Sequence, residues 1–196
     1  MILSDNEIRD AIAKGDIEVS GVDEIYIGPS SLDLHLDNKA MILDDSKFTT
    51  MGSSQNVMDF REKEKSADKF TEHKDWEDII IFPGEFYILS SKEKIKFADN
   101  IVGFIQGRSS LARMGINIHA AGYFDAGFEG TATLEVTNFT KYPIRIPAGT
   151  RVCQMVFART GTPATVPYNK KKDSKYQGQS GPTITSIHED YQPKML

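Results

Sequence analysis

The sequence predicts a mainly β fold, a barrel or sandwich of short strands with one N-terminal helix and one polar insertion. Three observations predict it: many short runs of β-prone or alternating residues, turn signals at regular intervals between them, and no internal repeat. At 196 residues the chain is long enough for one domain with a hydrophobic core of its own, so it is read as a single unit over 1–196.

The elements follow in order. Ser4-Asp5-Asn6-Glu7 is a capping box, Ile8, Ala11 and Ile12 follow helical spacing, and Gly15 is a stop, which predicts a helix from about Asp5 to Lys14. Ser31 to Leu36 alternates, with Leu32, Leu34 and Leu36 on one face. Residues 44–78 are polar and charge-rich, including Arg61-Glu62-Lys63-Glu64-Lys65, and read as a surface insertion that is partly helical or mobile. Pro83-Gly84 marks a turn, with strands expected at Phe86–Leu89 and Lys94–Phe97. Ile101–Gln106 and Ile116–Ala121 are apolar and β-prone. Thr131–Val136 alternates, placing Thr131, Thr133 and Glu135 on one face and Ala132, Leu134 and Val136 on the other. Tyr142–Ile146 leads to the turn Pro147-Ala148-Gly149, and Arg151–Phe157 is a further strand. The tail, 161–196, is polar with few apolar anchors and is expected to be mobile unless something binds it.

Composition narrows the function classes. An apolar share of 39% and a charged share of 26% are those of a soluble globular protein. A net charge of −5 and a pI near 5.4 argue against a nucleic-acid polymer or a membrane surface as partner, though not against one basic pocket. Cys153 is the single cysteine, so no internal disulfide forms and a reducing, cytoplasmic setting is the simplest expectation. No apolar run nears the ~20 residues that span a bilayer, and Met1-Ile2-Leu3-Ser4-Asp5 lacks the character of a signal peptide. Asn138-Phe139-Thr140 fits the glycosylation acceptor pattern, a chance match in this setting.

The residues able to do chemistry concentrate between Gly107 and Asn138. Gly107-Arg108-Ser109-Ser110-Leu111-Ala112-Arg113 holds two hydroxyls and two guanidinium groups in seven residues, the groups that grip a phosphate chain. The competing reading is a helix N-cap at Ser109 or Ser110, and the P-loop ending is missing. Gly122-Tyr123-Phe124-Asp125-Ala126-Gly127-Phe128-Glu129-Gly130 is either a turn that brings backbone close to a ligand or a plain hairpin stabilised by Asp125. Glu135 is the most informative single residue. Glu is a poor strand former, and a carboxylate in mid-strand is either simply exposed or a general base in a cleft, with a raised pKa.

Catalytic zinc is not expected. The zinc deaminases of nucleobases need a His/Cys/Cys or three-Cys set, and here His35, His73, His119 and His188 are scattered around one cysteine that reads as core. His119 reads as a packed or hydrogen-bonded histidine. The tail run Tyr168 to Gln179 is either a solvated basic segment or a lid whose lysines neutralise phosphate.

Together these residues resemble the dCTP deaminases of the dUTPase superfamily. The opening Met1–Asp5 looks like that family's start, and Gly28-Pro29-Ser30-Ser31-Leu32-Asp33-Leu34 is similar to its first core motif. Gly107–Arg113 is similar to its signature, and Asp125 to Glu135 keeps the family's spacing of ten. Pro147-Ala148-Gly149 followed by Gln154, and Lys175-Tyr176-Gln177-Gly178-Gln179, resemble its later motif and its lid. The resemblance implies a distorted β-barrel of the dUTPase type, assembled as a homotrimer with active sites between subunits. It implies that Arg108, Ser109, Ser110 and Lys175 hold a triphosphate whose Mg²⁺ sits on the phosphates through water. Glu135 would be the acid/base, with Ser109, Arg113 and the carbonyl of Ala121 positioning water and Glu135 itself. The backbone near Thr133 and Leu134 would read cytosine, with Asp125 in the substrate site and Tyr168, Tyr176 and Gln179 closing the lid. One departure stands out: the chain is a residue shorter than the family pattern at His119-Ala120-Ala121-Gly122, with Ala120 where the pattern has Thr.

The implied activity is zinc-independent deamination of dCTP to dUTP and ammonia, which supplies dUTP and dUMP for thymidylate synthesis. Two sister activities stay open. In some relatives an aspartate equivalent to Asp125 activates a second water and the product is dUMP with pyrophosphate. A plain dUTPase needs no carboxylate at the Glu135 position. A non-catalytic nucleotide-binding regulator is the alternative from a different class, and dTTP is the inhibitor the family suggests.

Overall fold

The computed structural model describes residues 1–48, 57–62, 67–119 and 121–191. Helix α1 (Asp5–Lys14) opens the chain as expected. The Ser4 amide donates to Glu7 Oε2 at 2.8 Å while Ser4 Oγ accepts from the Glu7 amide, so two orphan helix donors are satisfied reciprocally. Its Ile8 and Ala11 are buried against the sheet.

The strands are β1 (Ile17–Ser20), β2 (Tyr26–Ile27), β3 (Leu32–Leu43), β4 (Phe70–Lys74), β5 (Asp78–Ile81), β6 (Phe86–Phe97), β7 (Ile101–Gly107), β8 (Ile116–His119), β9 (Tyr123–Phe124), β10 (Glu129–Asn138), β11 (Ile144–Pro147) and β12 (Arg151–Arg159). A short helix, α2 (Ser109–Ala112), lies between β7 and β8. Hydrogen bonding runs β8-β10-β6-β3-β12-β7-β9, with β1 on β6, β2 and β4 on β3, and a separate pair β11-β5. Strand β3 serves both halves: Leu32–His35 pair with β12, and Leu36–Ile42 pair with β6 after a register shift. A bulge of this kind bends the strand and adds twist. The result is a curled half-barrel sheet of the distorted-barrel class that the resemblance implies.

The core fills the inside of the curl. Leu32, Leu34 and Leu36 from β3, Leu89 and Ile95 from β6, Ala132, Leu134 and Val136 from β10, and Val152, Cys153 and Met155 from β12 are all buried. Burial raises the Cys153 thiol well above its ordinary value, so it behaves as a small apolar side chain. Gly103 on β7 marks a tight point in the core: a Cβ there would stand 2.6 Å from Met155 Sδ and 2.7 Å from Phe97 Cζ. Gly103→Ala is therefore expected to overpack the core by about 1–3 kcal/mol and lower Tm by roughly 2–4 °C per kcal/mol, read by calorimetry at fixed protein concentration.

Three expectations are corrected. Strands at Phe86–Leu89 and Lys94–Phe97 are one continuous strand, β6. The polar run Ser90-Ser91-Lys92-Glu93 reads as an interruption, but Ser90, Ser91 and Glu93 are buried. Ser91 Oγ donates to the Glu93 carbonyl at 2.8 Å, and Glu93 accepts from the His35 amide at 2.9 Å, so these two polar groups are satisfied inside the sheet, whereas Ser90 Oγ is buried without a hydrogen-bond partner among the described residues. The stretch 44–78 is not decoration throughout. Phe70–Lys74 adds a strand to β3, and Asp78 begins β5. Within that stretch, residues 49–56 and 63–66 lie outside the described residues. The tail, finally, is docked rather than loose: the Tyr168 amide donates to the Ala126 carbonyl at 2.8 Å and the Thr131 amide to the Gln179 carbonyl at 3.0 Å. No helix among the described residues is long and apolar enough to cross a membrane.

Candidate active site

The cavity sits on the open face of β10 and β6. Glu135 pairs with Ile88 and Thr137 with Phe86, so the side chains on that face of both strands form one floor. Thr133 and Glu135 supply its polar half, Phe86 and Ile88 its apolar half. The cavity is about 480 Å³, within the range of small-molecule sites. The alternation expected of Thr131–Val136 holds from Thr133 onward, where the other face of β10 carries Leu134 and Val136 into the core; Thr131, set off from Thr133 by a register shift, is buried and does not line the cavity. On its far edge Glu135 is in register with His119 of β8.

One wall comes from the loop after β8. The Ile105 amide donates to the Gly122 carbonyl at 2.8 Å and so ties the segment beside Ala121 to β7. Ala121, Tyr123, Phe124, Asp125 and Phe128 all line the cavity from there. Ala120, on which the departure from the family pattern turns, lies outside the described residues. Phe128 packs edge-on against Phe124 with ring centroids 4.9 Å apart, which stiffens the turn that carries Asp125.

The tail supplies the roof. Tyr168, Tyr176, Gln179, Thr183 and Thr185 line the cavity. The Tyr176 amide donates to the Tyr168 hydroxyl and the Ser186 amide to the Tyr176 hydroxyl, each at 3.1 Å. The two tyrosines therefore staple successive stretches of tail to each other over the opening.

Seven of the residues singled out from sequence thus meet in one cavity: Ala121, Asp125, Thr133, Glu135, Tyr168, Tyr176 and Gln179. Leu134 does not present its side chain there. It is 1% exposed and belongs to the core, which leaves only its backbone to face a ligand. Arg108, Ser109, Ser110, Arg113 and Lys175 do not line this cavity either.

The Arg/Ser turn follows the C-terminal end of β7. Ser109 and Ser110 open α2 with Arg108 at the cap position and no side-chain cap hydrogen bond, so the N-cap reading of the serines is not what the structure has. Ser109, Ser110 and Arg113 are exposed. Arg108 donates to the Arg151 carbonyl at 3.0 Å, and its guanidinium stands 3.6 Å from Asp33. Arg151 and Gln154 also donate to Asp33, at 3.2 and 3.4 Å. The strands β3, β7 and β12 thereby gather a polar, cation-rich cluster that leaves the serine hydroxyls outward. Lys175 pairs with Asp190 at 2.6 Å, and that carboxylate raises its pKa.

Electrostatically the two regions are opposites. Among the described residues the cavity is lined by two carboxylates, Asp125 and Glu135, and by no lysine or arginine. Sequence reasoning missed its apolar contributors Met58, Phe60 and Phe70, which come from the stretch read as a surface insertion. The signal was present: Val57-Met58 and Phe60 are apolar residues inside a polar run, out of place on a purely solvated segment.

Comparison with known proteins places this arrangement. A family model described as dCTP deaminase-like matches residues 2–160. A protein of Methanosphaera stadtmanae named dCTP deaminase, dUMP-forming, is 39% identical over 193 residues, covering 97% of this chain and 95% of its own. One of Thermomicrobium roseum named dCTP deaminase is 34% identical over 201 residues, covering 100% and 98%. Among solved structures, the 2′-deoxycytidine 5′-triphosphate deaminase of Agrobacterium tumefaciens superposes with a TM-score of 0.60 at 26% identity. That match covers 82% of this chain and spans 46% of the other chain's length.

Proposed function

The chain belongs to the dCTP deaminase-like family, and from that premise we propose that it hydrolyses the 4-amino group of dCTP with Glu135 as the acid/base. The observation that carries the reading is the mid-strand carboxylate of Glu135, held on the floor of the cavity beside Thr133 and under the tail.

The chemistry follows from the inventory. Water adds to C4 of cytosine as Glu135 takes a proton from it. The carboxyl passes that proton to N3 of the ring, then takes the second proton from the hydroxyl now on C4 and gives it to the amino group, so the C4–N bond breaks, ammonia leaves, and the C4 carbonyl of uracil forms. Positioned acid/base catalysis of this kind contributes ~10²–10⁴-fold. The backbone carbonyl of Ala121 orients the water, and the backbone of Thr133 and Leu134 reads the base edge.

The triphosphate is bound by a second copy of the chain. A cavity lined by carboxylates repels phosphate, while the exposed Ser109, Ser110 and Arg113 beside Arg108 form a phosphate-gripping surface that this chain's own cavity does not use. A homotrimer with sites between subunits joins the two halves, and Lys175 turns from Asp190 to the phosphates when the lid closes on substrate. Among the described residues no group of three ligating side chains could hold a metal by itself. The residues therefore suit Mg²⁺ carried on the phosphates and water, where the ion screens phosphate charge. dTTP, which keeps the triphosphate and the pyrimidine, is the inhibitor this site suits, and the reaction belongs in the cytoplasm with nucleotide synthesis.

From sequence dUTP stands as the leading product because Asp125 alone does not decide between one step and two. Two observations favour a further step. Asp125 lines the same cavity as Glu135, where it can activate a second water at the phosphate chain, and several relatives at 35–40% identity carry the dUMP-forming name. We therefore place dUMP and pyrophosphate as the final products. Incubation with dCTP and Mg²⁺, measuring ammonia, dUTP and dUMP together, tests both steps. Ammonia and dUMP in equal amounts are expected; accumulating dUTP limits the enzyme to one step, and no ammonia overturns the reading.

A further inference from the structure

The first residues of β10 pair with β6 on one side, and on the other side the tail is laid against them as an extra strand. The Gly178 amide donates to the Glu129 carbonyl at 2.7 Å and the Thr131 amide to the Gln179 carbonyl at 3.0 Å. Gln179 Nε2 returns a bond to the Thr131 carbonyl at 2.7 Å, which holds the Gln179 side chain at the cavity. The approach is possible because Gly130 has no side chain: a Cβ there would stand 3.0 Å from both Gln179 Cγ and the Gln179 carbonyl oxygen, at a φ of +153° that disfavours other residues.

Such a short ladder does not set its own register. Backbone donors and acceptors repeat identically at every residue, and a slip by one residue turns each side chain to the opposite face. Gly178 offers no side chain to resist a slip. Gln177 does. Its Oε1 accepts from the Glu129 amide at 3.2 Å, and its Nε2 donates to the Gly127 carbonyl at 3.4 Å. A carboxamide carries one acceptor and one donor, as a peptide group does, so the Gln177 side chain continues the ladder across the turn that follows Asp125.

We propose that Gln177 is a positioning residue: it sets the register of the tail on β10, and thereby places Gln179 in the cavity and ties lid closure to the Asp125 turn. The catalytic part of this inference rests on the dCTP reading; the docking part does not.

Two measurements decide it. In Gln177→Ala, exchange of the Thr131 and Gly178 amides in nucleotide-free protein is expected to rise about tenfold while the Leu134 amide is unchanged. Unchanged exchange at Thr131 and Gly178 overturns the register role. In ammonia release from dCTP, Gln177→Ala is expected to lower kcat about tenfold, and Gln177→Ala with Gln179→Ala to be no worse than Gln179→Ala alone, since coupled residues are non-additive. Independent, additive losses show a merely structural contribution and overturn the proposal. If the parent protein releases no ammonia from dCTP, the dCTP reading fails, and the exchange measurement still decides the role of Gln177.

Discussion

Glu135→Gln is expected to abolish ammonia release from dCTP while dCTP binding stays within a few-fold of the parent. The substitution keeps the size of the side chain and a hydrogen-bonding oxygen, so β10 and the cavity floor survive. It removes the group that accepts a proton from water at C4, and with it a factor of ~10²–10⁴ in turnover. Single-turnover assays with calorimetric dCTP binding read the two effects separately. Turnover at a tenth of the parent rate or better would remove Glu135 from its role. The same variant tests the shared site. Re-associated mixtures of Glu135→Gln and Arg108→Ala subunits should regain activity that neither has alone, because some interfaces then hold an intact Glu135 facing an intact Arg108.

Deleting the tail from Pro167 onward is expected to lower kcat/KM by two or more orders of magnitude with little change in Tm. The deletion removes Tyr168, Tyr176 and Gln179 from the roof and Lys175 from reach of phosphate, while the core built by β3, β6, β10 and β12 loses little. Lids act late: they exclude water and complete the site after substrate has entered, so catalysis suffers more than folding. Steady-state kinetics with thermal melts of the truncated protein check this. Normal kcat/KM would show that the docked tail covers the cavity without serving it.

The strands were legible where local pattern and burial agree. Thr133–Val136 alternates because one face of β10 meets the core and the other the cavity, and Arg151–Phe157 and Ile101–Gln106 are runs that bury on pairing. Helix α1 was legible from its caps, which are interactions among neighbours in sequence. The middle of β6 was not. Ser90, Ser91 and Glu93 look like surface residues, and the bonds that hold Ser91 and Glu93 inside the sheet include ones to Ala132 and His35, distant in sequence. Met58 and Phe60 are marked locally only as apolar residues in a polar run; that they line this cavity depends on partners distant in sequence.

The site divides in the same way. Glu135 was legible because a carboxylate in mid-strand contradicts propensity, and Asp125 because it sits among glycines. The sequence does not show that these carboxylates line a cavity with no lysine or arginine among the described residues, while Ser109, Ser110 and Arg113 are exposed outside it; the course of the sheet, in which β7 and β10 are not paired, does.

Periodicity, caps and residue type thus determined that the chain builds a β fold, carries an acid/base candidate at Glu135 and holds a turn rich in hydroxyl and guanidinium groups at Arg108–Arg113. The tertiary structure alone decided that the tail docks on β10, that residues of the polar stretch wall the cavity, and that the two charge-bearing regions lie apart within one subunit. The reason is physical: propensity and alternation act over a few residues, whereas the satisfaction of buried polar groups and the closing of a cavity depend on partners tens of residues away, which come together only when the sheet curls.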